Sequence, residues 1–273
     1  RSVLRVDGFY VPDDYVDDNY QHSVKFRTWL NDRLARDLQR FDHVIYQSNF
    51  SKIICDKYLY KRLKDFSIIP NGININHFTP AKSSPTSETL KLVVLGKHYP
   101  KHLQLALDIF KKVLNKQKAE LLIIGPMRNG IEGVKDYIDA QDLSTSIHKY
   151  ITCKGTVSFN DLPSVLSDSD ILLHVKVGDW CPNAVLEAMG CGLPVVSPSF
   201  GGTKELVGEA GICINGPEWD INDDLVDGMV QAITEVQSNL LEYKYKARER
   251  ILREFDITNI SKLYLAKLGY LSE

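Results

Sequence analysis

Short apolar runs of strand length alternate with amphipathic stretches of helical length along almost the whole chain. The strand-length runs are SVLRV (2–6), HVIYQ (43–47), FSIIP (66–70), KLVVLG (91–96), ELLIIG (120–125), KYITCKG (149–155), DILLHV (170–175), LPVVSP (193–198) and GICI (211–214). Helices are predicted at 21–40, 49–63, 101–117, 131–140, 160–167, 182–190 and 202–207, and from about 222 onward. This order predicts an α/β fold, in which a doubly wound parallel sheet carries helices on both faces.

The segment TPAKSSPTSET (79–89) is rich in Pro, Ser and Thr and poor in apolar residues, which is typical of an interdomain linker. We therefore predict three parts. Residues 1–84 form the end of a larger α/β domain plus the linker, residues 85–255 a complete doubly wound domain, and residues 256–273 a C-terminal helix that packs back toward the N-terminal part. Because the chain begins at Arg1, without methionine and within a predicted strand, we expect a fragment.

The composition argues against several classes of protein. The chain has 273 residues, 44% of them hydrophobic, and a formal net charge of -2, whereas nucleic-acid binding usually needs a strongly basic surface. Its five cysteines are far apart and odd in number, so neither a disulfide framework nor a zinc site is indicated, and a reducing compartment fits best. No apolar run approaches the roughly 20 residues of a membrane-spanning helix, and no secretion pattern begins the chain, which favours a cytoplasmic protein.

The segment GDWCPNAVLEAMGCGLPVVSPSFGGTKELV (178–207) carries the clearest indications of a binding site. Pro182 suits the first turn of a helix, whose free N–H groups and positive dipole end form an anion site after the strand DILLHV, where parallel sheets bind ligands. Glu187 on that helix can accept hydrogen bonds from the vicinal hydroxyls of a ribose, and Asp179 from those of a sugar ring. The Gly-Gly pair at 201–202 offers a second turn of bare backbone N–H groups.

Each of these features also has an ordinary explanation. A glutamate within a helix is usually solvated, and turns with glycine and proline are common in α/β proteins. His174, at the end of a strand, is either a ligand contact or a satisfied buried histidine, and Trp180 either lies against a sugar or packs within its loop. The features are more informative together than singly.

The stretch CPNAVLEAMGCGLPVVSPSFGGTKELV resembles the signature of the group 1 glycosyltransferases, the retaining family 4, whose fold is the two-domain GT-B type. In that signature two acids are separated by seven residues, and a third follows Gly-Gly-x-x. Asp179, Glu187 and Glu205 occupy these places, with Asp179 where the family has glutamate. PNGININHFTP (70–80) resembles the segment that closes the acceptor domain of the family, so residues 1–84 correspond to the acceptor side and residues 85–255 to the donor-binding domain.

Three further stretches resemble donor-binding loops of the family. VLGKHYPKH (94–102) resembles Gly-Arg-x-x-x-x-Lys-Gly, whose basic residues hold the diphosphate; Lys97 takes the arginine position, and His102 takes the lysine position, with Lys101 just before it. IIGPMRNG (123–130) and KGTVSFNDLPSVLSDSDILLH (154–174) resemble the loops that frame the nucleobase. The resemblance implies Asp179, Lys97 and Lys101 as catalytic residues. It implies the following donor-binding residues: Gly96, His102, Gly125, Thr156, Val157, Trp180, Cys181, Pro182, Asn183, Glu187 and Glu205.

The resemblance implies transfer of a sugar from a UDP-, GDP- or ADP-sugar to an acceptor hydroxyl with retention of configuration, in polysaccharide, lipopolysaccharide or glycolipid synthesis. The acceptor is expected to be a saccharide or a lipid-linked molecule. Fixed cations and a helix N-terminus can stabilise the leaving diphosphate, so no metal and no cofactor are expected. Asp179 is expected to orient the sugar, and a pair of carboxylates acting as in glycoside hydrolases fits less well because Glu187 should face the nucleoside.

Other interpretations remain open from the sequence. The basic and aromatic run KYLYKRLK (57–64), on a predicted helix, suits contact with an anionic membrane, although a solvated helix face is the commoner explanation. A non-catalytic sugar-nucleotide-binding module or partner subunit, or a nucleotide-sugar epimerase, is an alternative function. A dinucleotide-dependent oxidoreductase is disfavoured, because no strand leads into G-x-G-x-x-G.

Overall fold

The computed structural model describes residues 2–10, 24–81, 88–127, 133–141 and 145–271. The predicted boundary at 84/85 and the centre of the predicted linker lie outside these residues, as do parts of the predicted helices at 21–40 and 131–140. The predicted division of the chain into parts therefore stays a prediction.

The N-terminal part contains a small parallel sheet. Its strands are β1 (Val3–Val6), β2 (His43–Tyr46) and β3 (Phe66–Ile68), in the order β1-β2-β3, and its helices are α1 (Val24–Arg40) and α2 (Asn49–Tyr58). Ser48 starts α2 with a capping box, because its hydroxyl accepts a hydrogen bond from Ser51 N while Ser51 Oγ accepts one from Ser48 N.

A larger parallel sheet follows in the chain. Its strands are β4 (Leu90–Leu95), β5 (Ala119–Ile124), β6 (Ile151–Lys154), β7 (Ile171–Leu173), β8 (Val195–Pro198) and β9 (Gly211–Ile214). Their spatial order is β6-β5-β4-β7-β8-β9, with Val93 of β4 paired with Leu122 on one side and Leu172 on the other. The strand order reverses between β4 and β7, so a crevice is expected at the carboxyl ends of these two strands.

Helices cover both faces of the larger sheet. They are α3 (Pro100–Leu114), α4 (Val134–Asp139), α5 (Thr145–His148), α6 (Leu162–Ser167), α7 (Asn183–Gly190), α8 (Thr203–Val207), α9 (Asp223–Ser238) and α10 (Leu240–Glu254). Alternate residues of β4 point to opposite cores: Leu92 packs in the core that contains residues of α3 and α9, and Val93 in the core that contains residues of α6, α7 and α10.

The chain crosses between the two sheets near Ile73 and returns beside the same residue. Ile73 N donates to Phe255 O at 2.9 Å, and Ile257 N donates to Ile73 O at 2.9 Å. The last helix, α11 (Ile257–Leu268), then packs Ile260 against Ile45 in the small sheet. Both backbone passages between the sheets therefore lie side by side.

The predicted α/β class with parallel sheets is confirmed, and each strand-length apolar run forms a strand. Some details of the helices differ from the prediction. The helix predicted at 49–63 ends at Tyr58, the helix predicted from Pro182 begins at Asn183 with Pro182 as its N-cap, and the four-residue α5 was not predicted. The basic run 57–64 therefore lies mostly in a loop and not on a helix.

Candidate active site

A cleft of about 460 Å³ lies where the carboxyl ends of the two sheets face each other. Residues that follow β1, β2 and β3 line one side, and residues that follow β4 and β7, with the start of α7, line the other. The lining residues are Asp7, Gln47, Asn71, Leu95, Gly96, Lys176, Asp179, Trp180, Cys181, Pro182, Asn183, Ala184 and Glu187. The cleft thus lies at the reversal of strand order, which is where open parallel sheets bind ligands.

The loop that enters α7 is held in place by the glycine pair at 201–202. Gly202 N donates to Asp179 O at 2.7 Å, and Gly178 N donates to Phe200 O at 2.7 Å. A Cβ on Gly202 would lie 1.9 Å from Trp180 O, so only glycine allows the two backbones to approach this closely. The prediction that the pair presents bare N–H groups is wrong for Gly202, because its N–H is already bonded to Asp179.

Asn71 ties the start of α7 to the small sheet. Its Nδ2 donates to Cys181 O at 3.1 Å and to Asn183 Oδ1 at 2.7 Å, and its Oδ1 accepts from Arg5 Nη2 at 2.7 Å and from Gln47 Nε2 at 3.0 Å. The two donated hydrogen bonds of this amide cross the cleft to the start of α7, and the two accepted ones hold it on the small-sheet side. This network fixes the orientation of the α7 N-terminus relative to the carboxyl ends of the small sheet.

Trp180 packs into the core of the N-terminal part. Its ring meets Phe9 edge to face, with 5.4 Å between the ring centroids, in a cluster that contains Val6 of β1 and Leu38 of α1. Trp180 therefore joins the two sheets and at the same time contributes to the cleft wall.

Asp179 lies beside one buried imidazole and one lysine. Its Oδ2 is 3.8 Å from His174 Nε2 and 3.7 Å from Lys176 Nζ. Burial lowers the pKa of His174 to about 4, against the attraction of Asp179 and with a further lowering contribution from Lys176. His174 is therefore neutral at pH 7, and Lys176 supplies the positive charge beside Asp179.

Glu187 projects from α7 into the cleft and is half-buried. Burial raises the pKa of its carboxyl, and the nearby His77 partly opposes this shift. His77 stacks on Phe159 with 4.2 Å between ring centroids, next to this end of the cleft. A half-buried carboxylate that faces a cleft can accept hydrogen bonds from ligand hydroxyls, as the sequence analysis expects.

The basic residues predicted from VLGKHYPKH do not line this cleft. Lys97 is exposed, and Lys101 forms a surface ion pair in which its Nζ is 2.6 Å from Asp220 Oδ1. Burial, with smaller contributions from Lys176 and other neighbours, lowers the pKa of His102 to about 3, so its imidazole is neutral. Phosphate contacts by these three residues stay predictions.

Four other predicted donor-binding residues also lie outside the cleft lining. Gly125 supports the loop at Gly96, since a Cβ on it would lie 2.0 Å from Gly96 O. Thr156 is exposed, and Val157 packs against the core beneath α7. Both carboxylate oxygens of Glu205 accept hydrogen bonds from the first residues of α2. Its predicted contact with the donor therefore also stays a prediction.

Four polar cleft residues were not predicted as site residues: Asp7, Gln47, Asn71 and Lys176. Each closely follows the end of a strand, which places it at the edge where the two sheets meet. That position is the signal that would have selected them, because the carboxyl ends of parallel strands gather at one edge.

Among the described residues, no group of three or more His, Cys, Asp or Glu side chains is arranged to hold a metal ion. None of the helices within the described ranges is both long and apolar enough to cross a membrane.

A sequence model of the family described as "Glycosyl transferases group 1" matches residues 89–238, which is more than half of the chain. The chain belongs to this family. The matched region begins just before β4 and ends with α9, so it includes the larger sheet and the wall of the cleft that this sheet and α7 form.

Curated relatives match the chain at low identity. The phosphatidylinositol N-acetylglucosaminyltransferase GPI3 subunit of Saccharomyces cerevisiae is 25% identical over 248 residues, which cover 86% of this chain and 52% of that protein. The UDP-Gal:alpha-D-GlcNAc-diphosphoundecaprenol alpha-1,3-galactosyltransferase of Escherichia coli is 25% identical over 253 residues, covering 87% of this chain and 62% of that protein. The chain thus spans about half the length of the yeast subunit and somewhat more of the bacterial enzyme.

Solved structures share the fold of this group 1 chain. Sucrose-phosphate synthase from Thermosynechococcus elongatus superposes with a TM-score of 0.77 at 18% identity, over 98% of this chain and 68% of that chain. HepE of Anabaena, in complex with UDP-glucose, superposes with a TM-score of 0.68 at 19% identity, over 98% of this chain and 72% of that chain. The predicted GT-B type of fold is confirmed by these likenesses.

Proposed function

We propose that this chain carries the donor-binding and reacting part of a glycosyltransferase, which moves a sugar from a nucleoside diphosphate sugar to an acceptor hydroxyl with retention of configuration. The observation that carries the proposal is that Asp179, Glu187 and the start of α7 line one cleft in a group 1 glycosyltransferase. The cleft therefore offers a carboxylate for a sugar, a carboxylate for a ribose and helix N–H groups for phosphate. In this proposal, residues 85–255 form the donor-binding domain and residues 1–84 belong to the acceptor side.

Each group of the cleft has a definite task in this reaction. Glu187 accepts hydrogen bonds from the ribose hydroxyls and fixes the nucleoside. Asp179 orients the sugar and stabilises the positive charge that develops at its anomeric carbon. The positive end of α7 stabilises the negative charge that grows on the leaving diphosphate, and Lys97 and Lys101 are proposed to assist if they approach the donor when it binds.

The bond changes balance without a protein nucleophile. The bond between the anomeric carbon and the phosphate oxygen breaks, and the acceptor oxygen forms its new bond on the same face of the sugar. The acceptor hydroxyl gives its proton to the departing phosphate oxygen. The products are the glycosylated acceptor and the nucleoside diphosphate.

We infer a lipid-linked acceptor from the names of the relatives, which include a phosphatidylinositol and a diphosphoundecaprenol glycosyltransferase. The loop after α2 suits membrane contact on the cytoplasmic side, because Leu63 is 78% exposed between the exposed cations Lys61 and Lys64.

Cosedimentation with vesicles containing phosphatidylglycerol tests this membrane contact. The double change Lys61→Ala and Leu63→Ser should release the protein, whereas Lys154→Ala, an exposed lysine elsewhere, should not. Equal binding of all variants would remove this loop from the proposal.

The donor site is tested by a thermal-shift panel of UDP-, GDP- and ADP-sugars, because a bound ligand raises the melting temperature with the logarithm of its concentration over its dissociation constant. One nucleotide should raise the melting temperature of the parent, and Glu187→Ala should lose most of that response. Glu249→Ala, an exposed glutamate on α10, should respond as the parent does.

Release of the nucleoside diphosphate in the presence of a lipid-linked acceptor then tests transfer. Binding without release would favour a non-catalytic sugar-nucleotide-binding module. No response to any of the three nucleotides would refute the proposed function.

A further inference from the structure

One residue that follows β7 places an ammonium group in the cleft. Lys176 lies three residues before Asp179, and its side chain is 29% exposed. Its Nζ lies 3.6 Å from the position that a Cβ of Gly96 would take. Because Gly96 follows β4 and Lys176 follows β7, the ammonium group stands at the reversal of strand order, between the two strands that frame the crevice.

The hydrogen-bond donors of Lys176 are not committed to the protein. The distance of 3.7 Å from Nζ to Asp179 Oδ2 balances charge but is too long for a hydrogen bond. Within the described part of the chain, its ammonium group has no protein hydrogen-bond acceptor. By contrast, Lys244, whose side chain is 22% exposed, donates to Asp170 Oδ1 at 3.0 Å. A half-buried ammonium group with three unused donors is suited to an anionic ligand.

Apart from the carboxylates of Asp7, Asp179 and Glu187, which line the same cleft, the surroundings of Lys176 favour an anion. Burial is the main cause of the lowered pKa of His98, His102 and His174, and the field of Lys176 contributes to each, so these neighbouring imidazoles stay neutral and Lys176 supplies the positive charge among them. Glycine at position 96 leaves the space next to Nζ free of a side chain. The N-terminus of α7, which lines the same cleft, adds positive potential.

We propose that Lys176 binds the diphosphate of the nucleotide-sugar donor. This inference rests on the proposed function and names the side chain that gives the site its preference for a diphosphate over a nucleoside. In the reaction, the same ammonium group neutralises the charge that the leaving diphosphate gains. Asp179, freed from sharing its charge with Lys176, then faces the sugar.

The experiment is isothermal titration of the parent, Lys176→Gln, Lys176→Arg and the matched control Lys244→Gln with UDP, UMP and uridine, or with the corresponding guanosine or adenosine series if the parent prefers it. Loss of a hydrogen-bonded charge should weaken UDP binding by Lys176→Gln about 30-fold while uridine changes by less than about 3-fold. Lys176→Arg should recover most of the affinity for UDP, and Lys244→Gln should bind as the parent does.

The outcomes separate this inference from the proposed function. If the parent binds no nucleotide of any base, both fail. If the parent binds UDP and Lys176→Gln binds it equally well, or loses uridine to the same degree, Lys176 is not the diphosphate ligand although the donor site stands. Thermal melting of each variant confirms that it is folded at the titration temperature.

Discussion

Glu205 is expected to stabilise the contact between the two sheets. Its Oε2 accepts hydrogen bonds from Asn49 N at 2.8 Å and Asn49 Nδ2 at 2.9 Å, and its Oε1 accepts from Phe50 N at 2.7 Å. These backbone N–H groups belong to the first turn of α2, where no carbonyl within the helix can reach them. A carboxylate at a helix N-terminus also interacts favourably with the helix dipole.

Glu205→Ala should lower the free energy of unfolding by about 2 kcal/mol. A hydrogen bond to a charged group contributes roughly 1.5–3 kcal/mol, and the lost N-cap type contact about 1 kcal/mol, but water can reach Asn49 and replaces part of the loss. Glu205→Gln keeps one acceptor oxygen and should lose about half as much. Urea unfolding followed by circular dichroism measures the difference.

Glu209→Ala is the matched control, because Glu209 is exposed and its ion pair with Arg253 spans 3.4 Å on the surface. Such a pair should change the free energy of unfolding by less than about 0.5 kcal/mol. The reasoning is refuted if Glu205→Ala is as stable as the parent. If Glu205→Ala instead loses nucleotide binding at unchanged stability, Glu205 contacts the donor, as the sequence predicted.

Gly202→Ala should lower the free energy of unfolding by more than about 2 kcal/mol, because its Cβ would lie 1.9 Å from Trp180 O. Gly155→Ala is the control, since a Cβ there has no atom within 4 Å, and it should melt close to the parent. Equal melting temperatures of the two variants would contradict the close approach at Gly202. Asn71→Asp replaces two donated hydrogen bonds by contacts between oxygens, so the free energy of unfolding measured in urea should fall by about 2 kcal/mol. Unchanged stability would mean that the Asn71 amide does not hold the start of α7 to the small sheet. The unfolded chain protonates His174 below pH 6.5 but the folded chain only near pH 4, so acidification through this window should lower stability by about 1.4 kcal/mol per pH unit for this imidazole. His174→Gln should remove that part of the slope in urea unfolding at several pH values, and an unchanged slope would show that His174 is not held neutral.

The strands were predictable because parallel strands buried on both faces appear as continuous apolar runs, as KLVVLG and DILLHV do. The end of α2 was not predictable, since a distant interaction shapes the chain after Tyr58. The guanidinium of Arg62 donates to Leu38 O at 2.6 Å and to Phe41 O at 2.9 Å, which holds the loop against the end of α1. A helix of four residues such as α5 is too short to show a periodicity of 3.6 residues.

The acids of the site were predictable from spacing, because Asp179 and Glu187 lie on one loop and helix and reach the same cleft. Lys176 and Asn71 were not predicted, since their contacts depend on how two separate sheets face each other. The contact of Glu205 also depends on how the two sheets face each other. Its spacing after the glycine pair indicated that it binds a ligand, yet its carboxylate accepts hydrogen bonds from the start of α2, which lies more than 150 positions away in the chain.

The paired backbone passages at Ile73 limit how the molecule can open. Because the outgoing and returning segments are hydrogen-bonded to each other there, we expect relative motion of the two sheets to be a rotation about that point and not sliding or separation. Rotation about a fixed pivot displaces distant atoms most, so opening would first break contacts far from Ile73. A pivot of this kind would let substrates enter and products leave while the register of the two sheets at the pivot is kept.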